Sequence, residues 1–157
     1  MNKKRKTKYV SFYRLHDGKL VEEILYNSRP ALLSYDPSTE TWEIADRIDA
    51  GGLELRPIDE DPIHKGALPL PSGIEEYGTT AALTREIRKY IHRYLDLAEK
   101  EEVLCVFYIL MTWVHDKFRE TPFLRFKGEP GTGKSRATLE IIGPICYKPA
   151  IGSPWWR

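Results

Sequence analysis

Eight consecutive residues, Gly128-Glu129-Pro130-Gly131-Thr132-Gly133-Lys134-Ser135, place three glycines within six positions and follow them with an amine and a hydroxyl. Glycine is unfavourable inside a helix or strand by roughly 0.5–1 kcal/mol relative to alanine. The run therefore predicts a tight loop. Phe123 to Phe126, bounded by Pro122, reads as a short strand before it, and Ser135 to Ile142 as a helix after it, stopped by Gly143-Pro144. Strand, glycine loop, helix is the context in which the pattern G-x-x-x-x-G-K-[ST] carries a mechanism.

That mechanism is anion capture. A polyphosphate is a dense anion, and backbone amides surround it only where the chain curls tightly, which favours residues without a Cβ: Gly128, Gly131 and Gly133. The helix beginning near Lys134 turns its unpaired amides and positive dipole end toward the same point. Lys134 adds a mobile charge for the β- and γ-phosphates, and Ser135 a hydroxyl oxygen for Mg²⁺. The expected nucleotide site is thus Gly128, Glu129, Pro130, Gly131, Thr132, Gly133, Lys134 and Ser135, with Ser135 as the metal contact and no side chain assigned a catalytic role. The rival hydrolase elbow G-x-S-x-G fails at its fifth residue, because Gly133-Lys134-Ser135-Arg136 is followed by Ala137 and no His/Asp pair is evident.

The remainder divides by pattern. Residues 1–8 carry five basic side chains and read as a solvated tail, with an arm for nucleic-acid phosphates as the sharper alternative. Residues 9–58 read as a small antiparallel β-module. Asp17-Gly18 predicts a hairpin turn with both φ angles positive, and Ala31 to Tyr35 pairs with Thr41 to Ile48 around Asp36-Pro37-Ser38-Thr39. Leu53 to Leu55 makes a short fifth strand. Residues 59–79, rich in Pro and Gly, read as a linker, and their acidic run Asp59-Glu60-Asp61 as a solvated charge cluster.

From residue 80 to 157 the period becomes helical. Leu83, Ile87, Tyr90, Ile91 and Tyr94 mark one helix with Thr79 or Thr80 as N-cap, and Arg85, Arg88, Lys89 and Arg93 read as its solvated face. A second helix is expected over Glu99 to Phe118, its acidic start suiting the helix dipole. Its middle is apolar on every side, which predicts a fully buried helix. His92 and His115 read as structural. The expected fold class is α/β: a β-module, then helices and the start of a parallel-sheet nucleotide-binding domain.

Composition sets the outer bounds. A chain of 157 residues that is 41% apolar and 30% charged can bury a core. With 24 basic and 23 acidic residues, no global field selects nucleic acid or membrane. Two cysteines, Cys105 and Cys146, suit reduced thiols in a cytoplasmic protein. The longest apolar run, Val103 to Val114, falls short of the roughly 20 residues a membrane span needs.

The loop and its flanks resemble P-loop NTPases of the AAA+ type. More narrowly, residues 68–151 resemble ATP-binding proteins of phages, prophages and plasmids described as primase- or helicase-like ATPases. The resemblance rests on the loop, on Leu70-Pro71-Ser72-Gly73-Ile74-Glu75-Glu76-Tyr77, Tyr90-Ile91-His92-Arg93-Tyr94-Leu95-Asp96-Leu97, Thr112-Trp113, Thr121-Pro122-Phe123-Leu124-Arg125, and Ile142-Gly143-Pro144-Ile145-Cys146-Tyr147-Lys148-Pro149. It implies ATP and Mg²⁺, a parallel sheet with flanking helices, ring assembly of full-length members and ATP hydrolysis coupled to work on DNA. The chain departs from that pattern after the loop. Residues 136–157 hold a single acid, Glu140, and no apolar strand ending in Asp or Glu to hold Mg²⁺ and position water. The expectation is a truncated, hydrolysis-incompetent P-loop protein. The alternative is a non-enzymatic module whose β-rich region binds a protein or nucleic-acid partner.

Overall fold

In the computed structural model, which describes residues 6–149, Asn27 and Ser28 take left-handed backbone conformations with φ of 48° and 62°. Two successive positive φ values make the two-residue turn that matches strand twist. They fold β3 (Leu20–Tyr26) back along β4 (Arg29–Asp36) in antiparallel register, Val21 opposite Ser34 and Glu23 opposite Leu32. The Asp17-Gly18 hairpin forms as well, joining β2 (Phe12–Arg14) to β3. Its turn is different from the expected one. Only Gly18 has positive φ, and the loop closes through Leu15 N donating to Lys19 O at 2.9 Å and Gly18 N donating to Leu15 O at 3.0 Å.

The module is not purely antiparallel. β1 (Lys6–Tyr9) runs parallel to β7 (Leu53–Arg56), while β5 (Thr41–Ala45) pairs with β4 and β6 (Ile48–Asp49) pairs with β7, both antiparallel. Two residues separate β1 from β2, and both are bonded in passing: Val10 N donates to Arg56 O, and Ser11 O accepts from Glu23 N, each at 2.9 Å. Asp46 and Arg47 likewise join β5 to β6. Two bent strands thus carry the chain from one sheet to the other and close a small barrel. Closure leaves a meander's first and last strands side by side, which is why β1 and β7 are parallel. The barrel interior holds Val10, Val21, Leu32 and Leu55, all buried, with Tyr13 and Ile48 packed against them. Glu23 also points inward at 1% exposure, and its carboxylate accepts the Ile58 amide at 2.5 Å. A buried carboxylate without such a donor is strongly unfavourable.

This unit spans Met1–Ile74, and a second spans Glu75–Arg157. The segment read as a linker is divided between them. Asp61–His64 forms the single-turn helix α1 with Ile63 buried, and Pro71 O accepts from Leu25 N at 2.8 Å on β3. Asp61 is held by Lys65 at 2.7 Å and Asp59 by His64. The basic tail is shorter than expected, because Lys6 and Lys8 already belong to β1; residues 1–5 lie outside the described part.

In the second unit, α2 (Thr80–Tyr94) is capped by Thr79, whose hydroxyl oxygen accepts from Ala82 N at 3.1 Å. α3 (Glu99–Trp113) follows, then α4 (Arg136–Ile142), which is wound with π character. Ile91, Cys105, Val106, Ile109 and Ile142 form the core. α3 ends earlier than expected, and it is not buried all round. Cys105, Val106 and Ile109 face α2 and α4, whereas Leu104 and Phe107 are 60% and 63% exposed. Uniform apolarity cannot say which face finds a neighbour.

Among the described residues of this unit the expected parallel sheet is not seen. Leu124 and Phe126 pack toward the core while Phe123 is 97% exposed, which is a strand's alternation. No strand in this unit hydrogen-bonds to the segment among the described residues, so it stays extended chain without a ladder. The observed class is mixed α/β: barrel sheets in one unit, helices in the other.

Arg88 is not a solvated cation. Its guanidinium reaches Glu102 at 2.9 Å and Glu99 at 3.1 Å, and His92 Nδ1 lies 2.6 Å from the other Glu102 oxygen. Glu102 is buried on α3, so this cluster is what lets a carboxylate face the α2–α3 seam. The His92 bond first, then Arg88, hold its pKa below the ordinary 4.5. A group whose folded-state pKa is lowered stabilises fully above its unfolded value and loses that contribution as the pH falls through the folded one. Glu102→Gln should therefore lower the melting temperature by several degrees at neutral pH, with the gap to wild type closing below pH 4.5. A gap equally wide at pH 3 and pH 7 would contradict the assignment.

Candidate functional site

The loop from Gly128 to Ser135 is curled, not extended. Gly131 and Gly133 sit at φ of 83° and 78°, left-handed values that cost a residue with a Cβ roughly 1–2 kcal/mol. Gly128 bears on the turn differently: a Cβ there would lie 2.9 Å from Thr132 Oγ1 and push that hydroxyl from its place. The turn is drawn together by Thr132, whose hydroxyl donates to Glu129 O at 2.9 Å and whose amide reaches the same oxygen at 3.4 Å. Gly131 and Gly133 are thus accounted for by backbone conformation, and Gly128 by its closeness to the Thr132 side chain.

Lys134 and Ser135 open the helical run that continues as α4. Its earliest bond outside the element runs from Ala137 N to Gly133 O at 2.9 Å. The amides of Lys134, Ser135 and Arg136 precede it, at the helix start where N–H groups have no partner one turn back. The Thr138 hydroxyl donates to Lys134 O at 3.0 Å and Ser135 O at 3.2 Å on this first turn. Widened π turns like those of α4 recur at functional sites.

The Lys134 ammonium folds back over the loop. It donates to Gly128 O at 2.8 Å and Glu129 O at 2.5 Å, with Thr132 Oγ1 at 3.3 Å. These oxygens are neutral. A phosphate oxygen in their place would make a shorter, charge-assisted bond about twice as strong. Ser135 is exposed beside it, with helical φ and ψ. Glu140, the single acid after the loop, is exposed and lies 3.9 Å from Arg136.

A cleft of about 590 Å³ adjoins the loop. Gly128, Thr132, Gly133 and Lys134 line it, together with Arg125, Lys127 and Arg136. Its other walls come from residues outside the eight-residue loop: Tyr94 at the end of α2 with Leu95 to Leu97 after it, Leu104 and Cys105 of α3, and Leu124 and Phe126. Burial pushes the Cys105 thiol up to about 11, so it is a neutral wall and not a nucleophile. The strand-like alternation of Leu95 and Leu97 just past the helix was the available signal for that wall.

Segments flanking the loop are fixed by polar contacts. Thr112 Oγ accepts from Tyr147 N at 2.9 Å, and the Trp113 indole donates to Ile145 O at 3.0 Å, tying the chain after α4 to the end of α3. Among the described residues no group of three or more His, Cys, Asp or Glu side chains is placed to hold a metal ion, and no helix is long and apolar enough to cross a membrane. A scan against protein-family models, a search of curated proteins and a search of solved structures each return no match.

Proposed function

We propose that residues 128–135 bind the phosphates of ATP with Mg²⁺, in a P-loop protein of the AAA+-like, phage or mobile-element type whose wider activity is ATP hydrolysis coupled to work on DNA. The observation that carries this reading is the loop itself. Two left-handed glycines and a third close against the Thr132 hydroxyl curl the chain at a helix start, with an ammonium and a hydroxyl beside it. The residues fit the group. Gly131 and Gly133 bring the backbone close, Lys134 exchanges neutral carbonyls for anionic oxygens, and Ser135 offers a hard oxygen to Mg²⁺. Catalysis needs more: an acid to hold the metal and orient water, for which Glu140 is badly placed on the exposed side of α4. The chain accordingly binds nucleotide and turns it over negligibly.

Mg-ATP should raise the melting temperature by mass action, and phosphate release should stay at background with or without DNA. No thermal shift at millimolar Mg-ATP would defeat the binding proposal. Robust turnover lost in Lys134→Ala would defeat the inactivity proposal. A second reading, a partner-binding barrel, has its own observation: Tyr9, Phe12 and Trp42 are 63%, 44% and 52% exposed on the first unit. It predicts partner capture without any response to Mg-ATP.

A further inference from the structure

α3 carries two apolar stripes, and its own unit occupies one of them. Cys105, Val106 and Ile109 belong to the core shared with α2 and α4. Leu104, Phe107, Met111, Val114 and Phe118 follow one another at intervals of three and four residues, through the end of the helix and the turn after it. That is the 3.5-residue spacing with which one helix packs along another. Together with Phe123 these five line a groove of about 450 Å³. Phe107, Phe118 and Phe123 are 63%, 52% and 97% exposed, so no described element covers them.

Size and charge fit a second copy. At roughly 200 Å² per ring, the three phenylalanines leave on the order of 400 Å² open, and the exposed Leu104 and Val114 bring the face to about 500 Å². Such a face meeting a copy of itself buries about 1,000 Å² in all, where specific interfaces begin. The charges along it cancel: Asp116, Lys117, Arg119 and Glu120 sum to zero, and Lys117 already pairs with Asp116 at 3.4 Å. A neutral rim has nothing to select a polyanion or an acidic membrane, and it lets two copies meet without repulsion.

We propose that this face pairs with itself in a two-fold dimer of the chain, the two α3 stripes packed against each other. The pairing is independent of any phosphate at the loop. It also differs from ring assembly, in which one face meets a different one; a face that meets itself closes at two copies.

Sedimentation velocity of the full chain from about 1 to 300 µM brackets the micromolar affinity of a small interface. Wild type should pass from monomer to dimer and stop there. Phe123→Asp should raise the dissociation constant at least about 10-fold, as loss of a central aromatic does. Because Phe123 is almost fully exposed, that variant should keep the wild-type circular dichroism. Phe107→Lys, on the stripe itself, should weaken the dimer to the same degree. Sodium sulfate should tighten it, since excluded salts strengthen apolar burial. A monomer throughout the range would overturn the dimer and leave the groove to residues 150–157 or to a different protein. A dimer that either folded variant leaves intact, or growth past two copies, would place the contact elsewhere and overturn it equally.

Discussion

Lys134→Ala is expected to remove at least about half of the stabilisation that Mg-ATP gives the wild-type chain. At a ligand concentration one hundred times Kd, mass action stabilises the folded state by about 2.7 kcal/mol. For a unit this size that corresponds to a rise in Tm of roughly 10–20 °C. The ammonium now makes its contacts to the oxygens of Gly128, Glu129 and Thr132. A hydrogen bond to a charged partner contributes roughly 1.5–3 kcal/mol, so its loss should raise Kd by on the order of 10- to 100-fold. At the upper end the same ligand concentration gives only about 0.4 kcal/mol. Without ligand the variant should melt close to wild type, because the contacts it loses are exposed ones to neutral acceptors. Differential scanning fluorimetry with and without Mg-ATP reads both numbers. A shift that survives intact in the variant would place the ligand elsewhere.

Leu32→Ala should have the largest effect on stability. Leu32 is fully buried in the barrel interior beside Val10, Val21 and Leu55. Truncating such a leucine costs roughly 2–5 kcal/mol through lost transfer energy and the cavity left behind. A unit of about 70 residues has a total stability on the order of 4–10 kcal/mol, so the variant should be marginal or unfolded at 37 °C. Amide hydrogen exchange checks it locally, since the ladder between β3 and β4 should lose most of its protection. Trp42→Ala, at a position 52% exposed, should change little. A cost under about 1 kcal/mol at Leu32 would mean that the barrel does not close around it.

What could be read from residue order was local. The Thr79 cap, the hairpin at Gly18, the pairing around Asp36 and the curl of the glycine loop each depend on a few neighbouring side chains. What escaped was non-local. Lys6 meets Leu53 in parallel, a pairing set by the bends at Val10-Ser11 and Asp46-Arg47, and no dipeptide signals those bends. The Asn27-Ser28 turn lacks the glycine that usually marks its type. Arg88 looked solvated because its partner Glu102 lies on another helix. Phe123 to Phe126 has the alternation of a strand, but a ladder needs a second strand, and the period alone cannot supply one. At the site, the curl of the loop was explicit in eight residues. The apolar wall beside it is assembled from three separate segments and became visible only in the folded cleft.

The proposed phosphate site is an anion cup made by the backbone between Gly128 and Arg136. Amide NMR of ¹⁵N-labelled protein titrated with Mg-ATP tests it most directly. The amides of Gly131, Gly133, Lys134 and Ser135 should move downfield together in one saturable transition, as donors newly bonded to charged oxygens do. If those four resonances stay in place through millimolar Mg-ATP while others shift, or if none shifts, the cup does not hold phosphate.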